Sequence, residues 1–230
     1  MHIPISSKMP SLRLPLELDA ELENNDATAF VAGAGNPNTG KTNLLLLLAQ
    51  LRKYDTDNLL VLSNFKSSVT DIRVSSAHDL AVSLLENRDL PKFVMIDEAS
   101  THFDSRTNRR PVAVQWTPLA KRFAKLNVDV AGLVIHTGKD LHPEAKRLCT
   151  LPVYKTDKKT AEIYDRWPSD SESPEDLSFS GPLEDLEKAA ARYDPDAAAP
   201  WSWNLRADLF AEDLSWSQLL ETLRVEGPEI

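Results

Sequence analysis

Residues 35–42 read Gly-Asn-Pro-Asn-Thr-Gly-Lys-Thr, and no other feature constrains the fold of this chain as tightly. The spacing G-x-x-x-x-G-K-[ST] falls between "ATAFVAGAG" (27–35), an apolar run that reads as a strand ending in glycines, and "GKTNLLLLLAQLRKY" (40–54), which reads as a helix. That helix is apolar nearly all round and is therefore expected to be buried. Gly35 and Gly40 allow backbone N–H groups to turn inward, and the following helix points its positive end into the same space, so the loop is built to cradle phosphates. Lys41 is placed to reach a β- or γ-phosphate, and the Thr42 hydroxyl to ligate Mg²⁺. The whole segment Gly35, Asn36, Pro37, Asn38, Thr39, Gly40, Lys41, Thr42 and Asn43 is the expected nucleotide contact. Pro37 stiffens the loop and removes one donor.

Binding phosphate does not imply turnover, because motors, kinases and passive nucleotide holders share such a loop. The second informative stretch is "FVMIDEAS", in which four apolar residues lead into Asp97 and Glu98 at the C-terminal end of an expected strand (92–98). Ligands of open α/β sheets bind at that end. Asp97 is suited to hold Mg²⁺ through its water shell, and Glu98 to orient and deprotonate an attacking water. Small-molecule kinases need no such glutamate, so the pair favours hydrolysis of ATP. A third stretch, "GLVIHTGKDLHPEAKRL" (132–148), ends a strand expected beside the Asp97 strand, where His136 or Thr137 could contact the γ-phosphate or the water. Zinc at His136 and His142 is not expected, since no cysteine or further ligand cluster accompanies them.

Between residues 27 and about 155, short aliphatic runs alternate with helical patterns, the signature of a mainly parallel α/β sheet. Further strands are expected at 58–64 and 129–137, helices at 77–87 and from about Pro118 within 114–126, and a hairpin at 151–167. Residues 168–182, "PSDSESPEDLSFSGP", have linker composition. Two helices are expected beyond them, at 181–193 and 215–227. Ser215 and Gln218 have capping-box spacing in the second. Trp201, Trp203, Leu209 and Phe210 interrupt an otherwise acidic segment and are expected to dock it on the core or on a neighbouring subunit. The division is thus an N-terminal extension (1–26), a core (27–167) and an acidic, helical appendage (168–230).

The net charge of −9 is unevenly spread: residues 156–230 hold 18 acidic against 7 basic side chains, whereas residues 1–155 hold 17 against 19. The acidic part suits an interaction arm or a solubilising segment in a salt-rich cytoplasm. Basic residues of the core cluster at Arg106, Arg109 and Arg110, at Lys121, Arg122 and Lys125, and at Lys139, Lys146 and Arg147. The first cluster could line a DNA channel, and Arg122 is the first choice for an arginine acting on a neighbouring subunit's site. No apolar run approaches bilayer length and no signal-peptide pattern is apparent, so a cytoplasmic protein without stable membrane insertion is expected. Cys149, the lone cysteine, reads as a buried hydrophobe.

With a Walker A loop, a Walker B strand ending in Asp-Glu, and the stretch H-x-G-x-D-x-H-P at 136–143, residues 27–167 resemble the additional-strand, catalytic-glutamate P-loop ATPases, within them the FtsK and HerA superfamily. They most resemble the small genome-packaging ATPases of tailless icosahedral viruses with internal membranes. The resemblance implies a homo-oligomeric ring that uses ATP and Mg²⁺ to pump double-stranded DNA into a preformed capsid, with capsid or portal-type vertex proteins as partners and residence in the host cytoplasm or at a virion vertex. Two alternatives stay open: a motor that moves protein, and a nucleotide-gated assembly factor. The chain departs from FtsK-type motors in offering His136 and Thr137 where those carry a glutamine, and in lacking their winged-helix domain.

Overall fold

The computed structural model describes residues 13–23, 27–104, 106–107, 109–182 and 191–229. Its centre is an eight-stranded sheet made of β1 (Ala29–Gly35), β2 (Leu60–Ser63), β3 (Ile72–Arg73), β4 (Lys92–Ile96), β5 (Val128–Val134), β6 (Leu151–Lys155), β7 (Thr160–Arg166) and β8 (Glu175–Pro182). The strand order is β3-β2-β4-β5-β1-β6-β7-β8. The six strands from β3 to β6 are parallel, while β7 and β8 are antiparallel additions. Expectation and structure agree on a mainly parallel α/β sheet.

Both faces of the sheet are covered, which is why its central strands are continuous apolar runs instead of alternating ones. Every residue of β4 is buried, as are all of β5 except Asp129 and all of β1 except Phe30. One face packs on α1 (Arg13–Glu23) and α2 (Lys41–Asp55), through Leu14, Leu18, Leu22 and the run Leu44–Ala49. The other packs on α3 (Ala77–Glu86), on helical turns α4 (Ala99–His102) and, after the short turn α5 (Arg109–Pro111), on Val112, Trp116 and α6 (Thr117–Ala120), and on α8 (Trp216–Glu226). A short helix, α7 (Pro143–Leu148), leads from β5 into β6. Ser76 caps α3 by accepting from the Asp79 N–H, and Ser215 with Gln218 forms the expected capping box on α8. Among the described residues, no helix is long and apolar enough to cross a membrane.

Three expectations are corrected. The helix placed from about Pro118 begins earlier, at Arg109, and runs through a wide turn at Val112–Trp116 in which the Thr117 N–H reaches back to the Val112 carbonyl. Proline has no N–H for the Val114 carbonyl and crowds it, and a widened turn immediately before position 118 relieves both problems. Residues 168–182 are not wholly a linker, because Glu175–Pro182 forms β8 on the edge of the sheet. An edge strand with one solvated face needs few apolar residues; Phe179 packs on the core, Leu177 is exposed, and Arg166 pairs with Glu175 and Asp176 across the ladder. Finally β5 ends at Val134, so His136 and Thr137 lie in the loop beyond it. The helix expected over 181–193 falls mostly on 183–190, outside the described residues.

The aromatic segment docks as expected, on this chain's own core. Trp201, Leu205, Leu209 and Phe210 are buried in the same cluster as Phe103, Trp116 and Phe123, and Trp201 and Trp203 both meet the Phe103 ring.

Candidate nucleotide-binding site

The topology decides what stands beside the phosphate loop. β5 lies between β1 and β4, so the loop after β1, the Asp97-Glu98 end of β4 and the His136 end of β5 open on the same edge of the sheet. Gly35 has φ 137° and Gly40 φ 85°, both in the region that favours glycine, and Asn38 also takes a left-handed conformation at φ 61°. At Gly35 the requirement is steric too: a Cβ there would stand 2.3 Å from the Lys155 carbonyl oxygen of β6, the strand paired in register with it. α2 starts directly after Gly40 with no side-chain cap, so the N–H groups of its first turn are left for a ligand.

Lys41 is buried, and its ammonium donates to the Gly35 carbonyl at 2.9 Å and the Asn36 carbonyl at 2.8 Å, folding back over the loop. Burial lowers its pKa, with Asp97 and Glu98 opposing the shift. Thr39 closes the turn by donating to the Asn36 carbonyl at 2.8 Å. The Thr42 hydroxyl donates to Asp97 Oδ2 at 3.1 Å, which joins two residues far apart in sequence. Burial raises the Asp97 pKa, against the hydrogen bonds from the Glu98 N–H and from Thr42. A hydroxyl and a carboxylate sharing a bond at the mouth of a phosphate cradle are hard oxygen donors of the kind Mg²⁺ takes.

Glu98 caps α4 with φ 55°, a left-handed conformation that costs a non-glycine residue about 1–3 kcal/mol and persists only where neighbours over-determine it. Its carboxylate is half exposed, and Glu98 Oε2 lies 4.0 Å from His136 Nε2. The His136 main chain is pinned on both sides: its N–H donates to Ser100 Oγ at 2.5 Å and its carbonyl accepts from the Gly35 N–H at 3.1 Å. His136 thus lines the cleft, whereas Thr137 and Asp140 form a capping box on the turn at Gly138–Asp140.

Pro37, Asn38, Gly40, Lys41, Thr42, Asp97, Glu98 and His136 all line one cleft. Gly35, Asn36 and Thr39 shape its floor through the bonds above, while Asn43 is buried within α2. Arg122 is not brought to this cleft. Its guanidinium donates to the Pro118 carbonyl at 2.8 Å and to the Phe210 carbonyl, and stands 5.2 Å from the centre of the Phe210 ring. That makes it a tether for the C-terminal segment. Several other basic residues are neutralised within the chain, Arg106 by Asp104 and Asp140, Lys139 by Glu172 and Arg147 by Glu144.

Sequence reasoning missed Asn64, Ser100, Tyr193 and Pro195. Asn64 is fully buried at the end of β2 and holds the main chain of Asp97 on both sides: its Nδ2 donates to the Asp97 carbonyl at 3.0 Å and its Oδ1 accepts from the Asp97 N–H at 2.8 Å. The signal was the polar pair Ser63-Asn64 ending an apolar strand at the ligand edge. Tyr193 and Pro195, by contrast, reach the cleft wall from more than 50 residues away, and no local pattern marks them.

No protein-family model matches this chain, and no curated protein matches it. Among solved structures it is similar to the genome packaging NTPase B204 of Sulfolobus turreted icosahedral virus 2 in complex with ATP-gammaS, at 16% identity and a TM-score of 0.44 over 66% of this chain and 99% of that one. It is also similar to the N-terminal domain of zonular occludens toxin from Neisseria meningitidis, at 14% identity and a TM-score of 0.44 over 73% of this chain and 94% of that one. The DNA-packaging ATPase B204 of Sulfolobus turreted icosahedral virus aligns at 16% identity with a TM-score of 0.43, over 63% and 98% of the two chains. These are likenesses of outline.

Proposed function

We propose that the protein hydrolyses ATP with Mg²⁺ and uses the energy as a motor on double-stranded DNA, working as a homo-oligomeric ring that packages a viral genome into a preformed capsid. The observation that carries the ATPase reading is the Thr42–Asp97 hydrogen bond with Glu98 adjacent: the start of α2 and the end of β4 meet at one sheet edge, with the Glu98 carboxylate half exposed and 4.0 Å from His136. In this reading the N–H groups of 35–42 and Lys41 hold the β- and γ-phosphates, and Thr42 and Asp97 hold Mg²⁺, which neutralises phosphate charge when bound. Glu98 orients the attacking water and takes its proton, while His136, pinned by Ser100 and Gly35, meets the γ-phosphate side. The DNA substrate, the ring and the capsid-vertex partners rest on the sequence resemblance and on Arg110, Lys121 and Lys125, which are exposed on a nearly neutral core. A second reading, a protein-moving motor or assembly factor, is favoured by the pairing of Arg106, Lys139 and Arg147 with this chain's own acids.

Steady-state turnover tests both levels. Glu98→Gln is expected to lower kcat by a factor of about 10²–10⁴ with nucleotide affinity retained; unchanged turnover would remove Glu98 from the mechanism. Double-stranded DNA is expected to raise the rate of the wild type at low salt, with the stimulation falling steeply as salt rises. Absence of stimulation at every salt concentration favours the second reading.

A further inference from the structure

Glu98 is held in a left-handed conformation at the point where catalysis needs a fixed carboxylate; locally its N–H donates to Asp97 Oδ1 at 2.8 Å and its carbonyl accepts from the Thr101 and His102 N–H groups, bonds that move with the turn they belong to. A ring of hydrogen bonds that passes through the C-terminal segment fixes that turn from outside. Asn64 grips the Asp97 main chain through its two bonds, and its Nδ2 also donates to the Ala199 carbonyl at 3.2 Å. The same Ala199 carbonyl meets His102 Nε2 at 2.9 Å, and His102 is the last residue of α4. The His102 carbonyl in turn accepts from the Trp203 indole N–H at 2.9 Å. The residue before Glu98 and the far end of the helix after it are therefore both fastened to residues 199–203.

That segment is itself anchored along its length. Ser68 N–H donates to the Arg192 carbonyl at 2.9 Å, Tyr193 meets the Phe65 ring edge-on at 5.9 Å, and Ser202 pairs with the backbone of Ser75 and Ala77. Leu205 N–H donates to Gln115 Oε1 at 2.9 Å. A strained residue stays strained only where surrounding structure over-determines it, and here the over-determining structure is the segment that composition separates from the core.

We propose that Asn64 is a positioning residue for the Asp97-Glu98 pair and that residues 199–203 are its brace, so that the C-terminal segment is a working part of the catalytic site. This rests on the ATPase reading for its effect on rate, but not for its effect on structure. Asn64 does not itself line the cleft, and its Asp97 bonds go to the main chain and not to the carboxylate, so its loss acts through the position of the Asp97-Glu98 turn. Truncating the segment would strip Trp201, Leu205 and Phe210 from the core, and it is not a clean test.

The test uses two point variants of the full chain. Asn64→Ala removes the grip, and Trp203→Phe keeps the ring but deletes the indole donor. Hydrogen exchange is read on the peptide spanning 96–103, together with kcat and the affinity for a non-hydrolysable ATP analogue. Exchange in that peptide is expected to rise in both variants, more in Asn64→Ala, with kcat lowered by roughly tenfold in Asn64→Ala and analogue affinity within about twofold of wild type, a loss of one to two hydrogen bonds' worth of positioning. Unchanged exchange in both variants overturns the brace, whatever happens to turnover. Analogue affinity falling in step with kcat also overturns it, because Asn64 would then be a binding residue. If Asn64→Ala does not fold, Trp203→Phe decides alone on the same readouts. Wild-type protein without turnover sinks the ATPase reading, while exchange still decides the brace.

Discussion

Replacing Lys155 by Met is expected to stabilise the protein, and the pH dependence of that gain is the sharper part of the expectation. Lys155 ends β6 beside Gly35 in register, is 0% exposed, and its ammonium has no hydrogen-bond partner among the described residues. Burial lowers its pKa from 10.5 to about 8, with Asp157 only partly opposing the shift. That difference corresponds to about 3 kcal/mol against the charged native form. The sign follows from proton counting. Below pH 8 both native and unfolded chains carry the proton and the full penalty is present. Between pH 8 and 10.5 the unfolded state binds more protons than the native state, so wild-type stability rises, and above 10.5 the penalty is gone. Lys155→Met should therefore be more stable than wild type by up to about 3 kcal/mol at pH 7, with the advantage shrinking through the 8–10.5 window. Urea denaturation of both proteins at a series of pH values measures it, and taking the difference cancels Lys92, which burial likewise lowers to about 8. A variant less stable than wild type, or a difference flat across pH 7–10.5, would refute the reasoning by showing that the ammonium has a partner.

Two further substitutions probe the loop and the tether. Gly35→Ala combines a φ of 137° with a 2.3 Å approach to the Lys155 carbonyl, so it should cost more than about 2 kcal/mol and weaken nucleotide binding, both read by thermal unfolding with and without ATP analogue. Arg122→Ala deletes two hydrogen bonds and the stacking on Phe210, and should cost about 1–3 kcal/mol with faster hydrogen exchange over 207–211. Unchanged stability with collapsed turnover would instead restore Arg122 as the arginine acting on a neighbouring site.

What the sequence made legible is what local chemistry controls. The phosphate loop, α2, β4 and β5 announce themselves because glycine conformations, a positive helix end and doubly buried strands each leave a mark within a dozen residues. β8 does not, because an edge strand is fixed by its partner: Arg166 and β7 decide where Glu175–Pro182 pairs, and its solvated face is as polar as a linker. The start of the helix before Pro118 is hidden for a related reason, since only the wide turn that the structure adopts makes proline tolerable there. Arg122 shows the limit of reading charge as function. An arginine in a helix before β5 is as able to hold Phe210 as to cross a subunit boundary, and the carbonyl that claims it lies 88 residues away.

The C-terminal segment carries the acidic excess, yet charge is not what holds it. Among the described residues its ion pairs to the core, Arg224 with Glu86, Lys139 with Glu172 and Arg166 with Glu175 and Asp176, are exposed and worth about 0–1 kcal/mol each, and salt screens them. Its attachment is apolar: Trp201, Leu205, Leu209, Phe210, Leu219 and Leu223 are buried against the core, and burying each large side chain contributes about 1.5–3 kcal/mol. Salt leaves such contacts intact and excluded salts strengthen them. The segment is thus built so that its described acids face solvent while its aromatics keep residues 199–203 on Asn64 and His102. At high salt that division preserves solubility and, by the same docking, keeps the Asp97-Glu98 turn in its strained conformation.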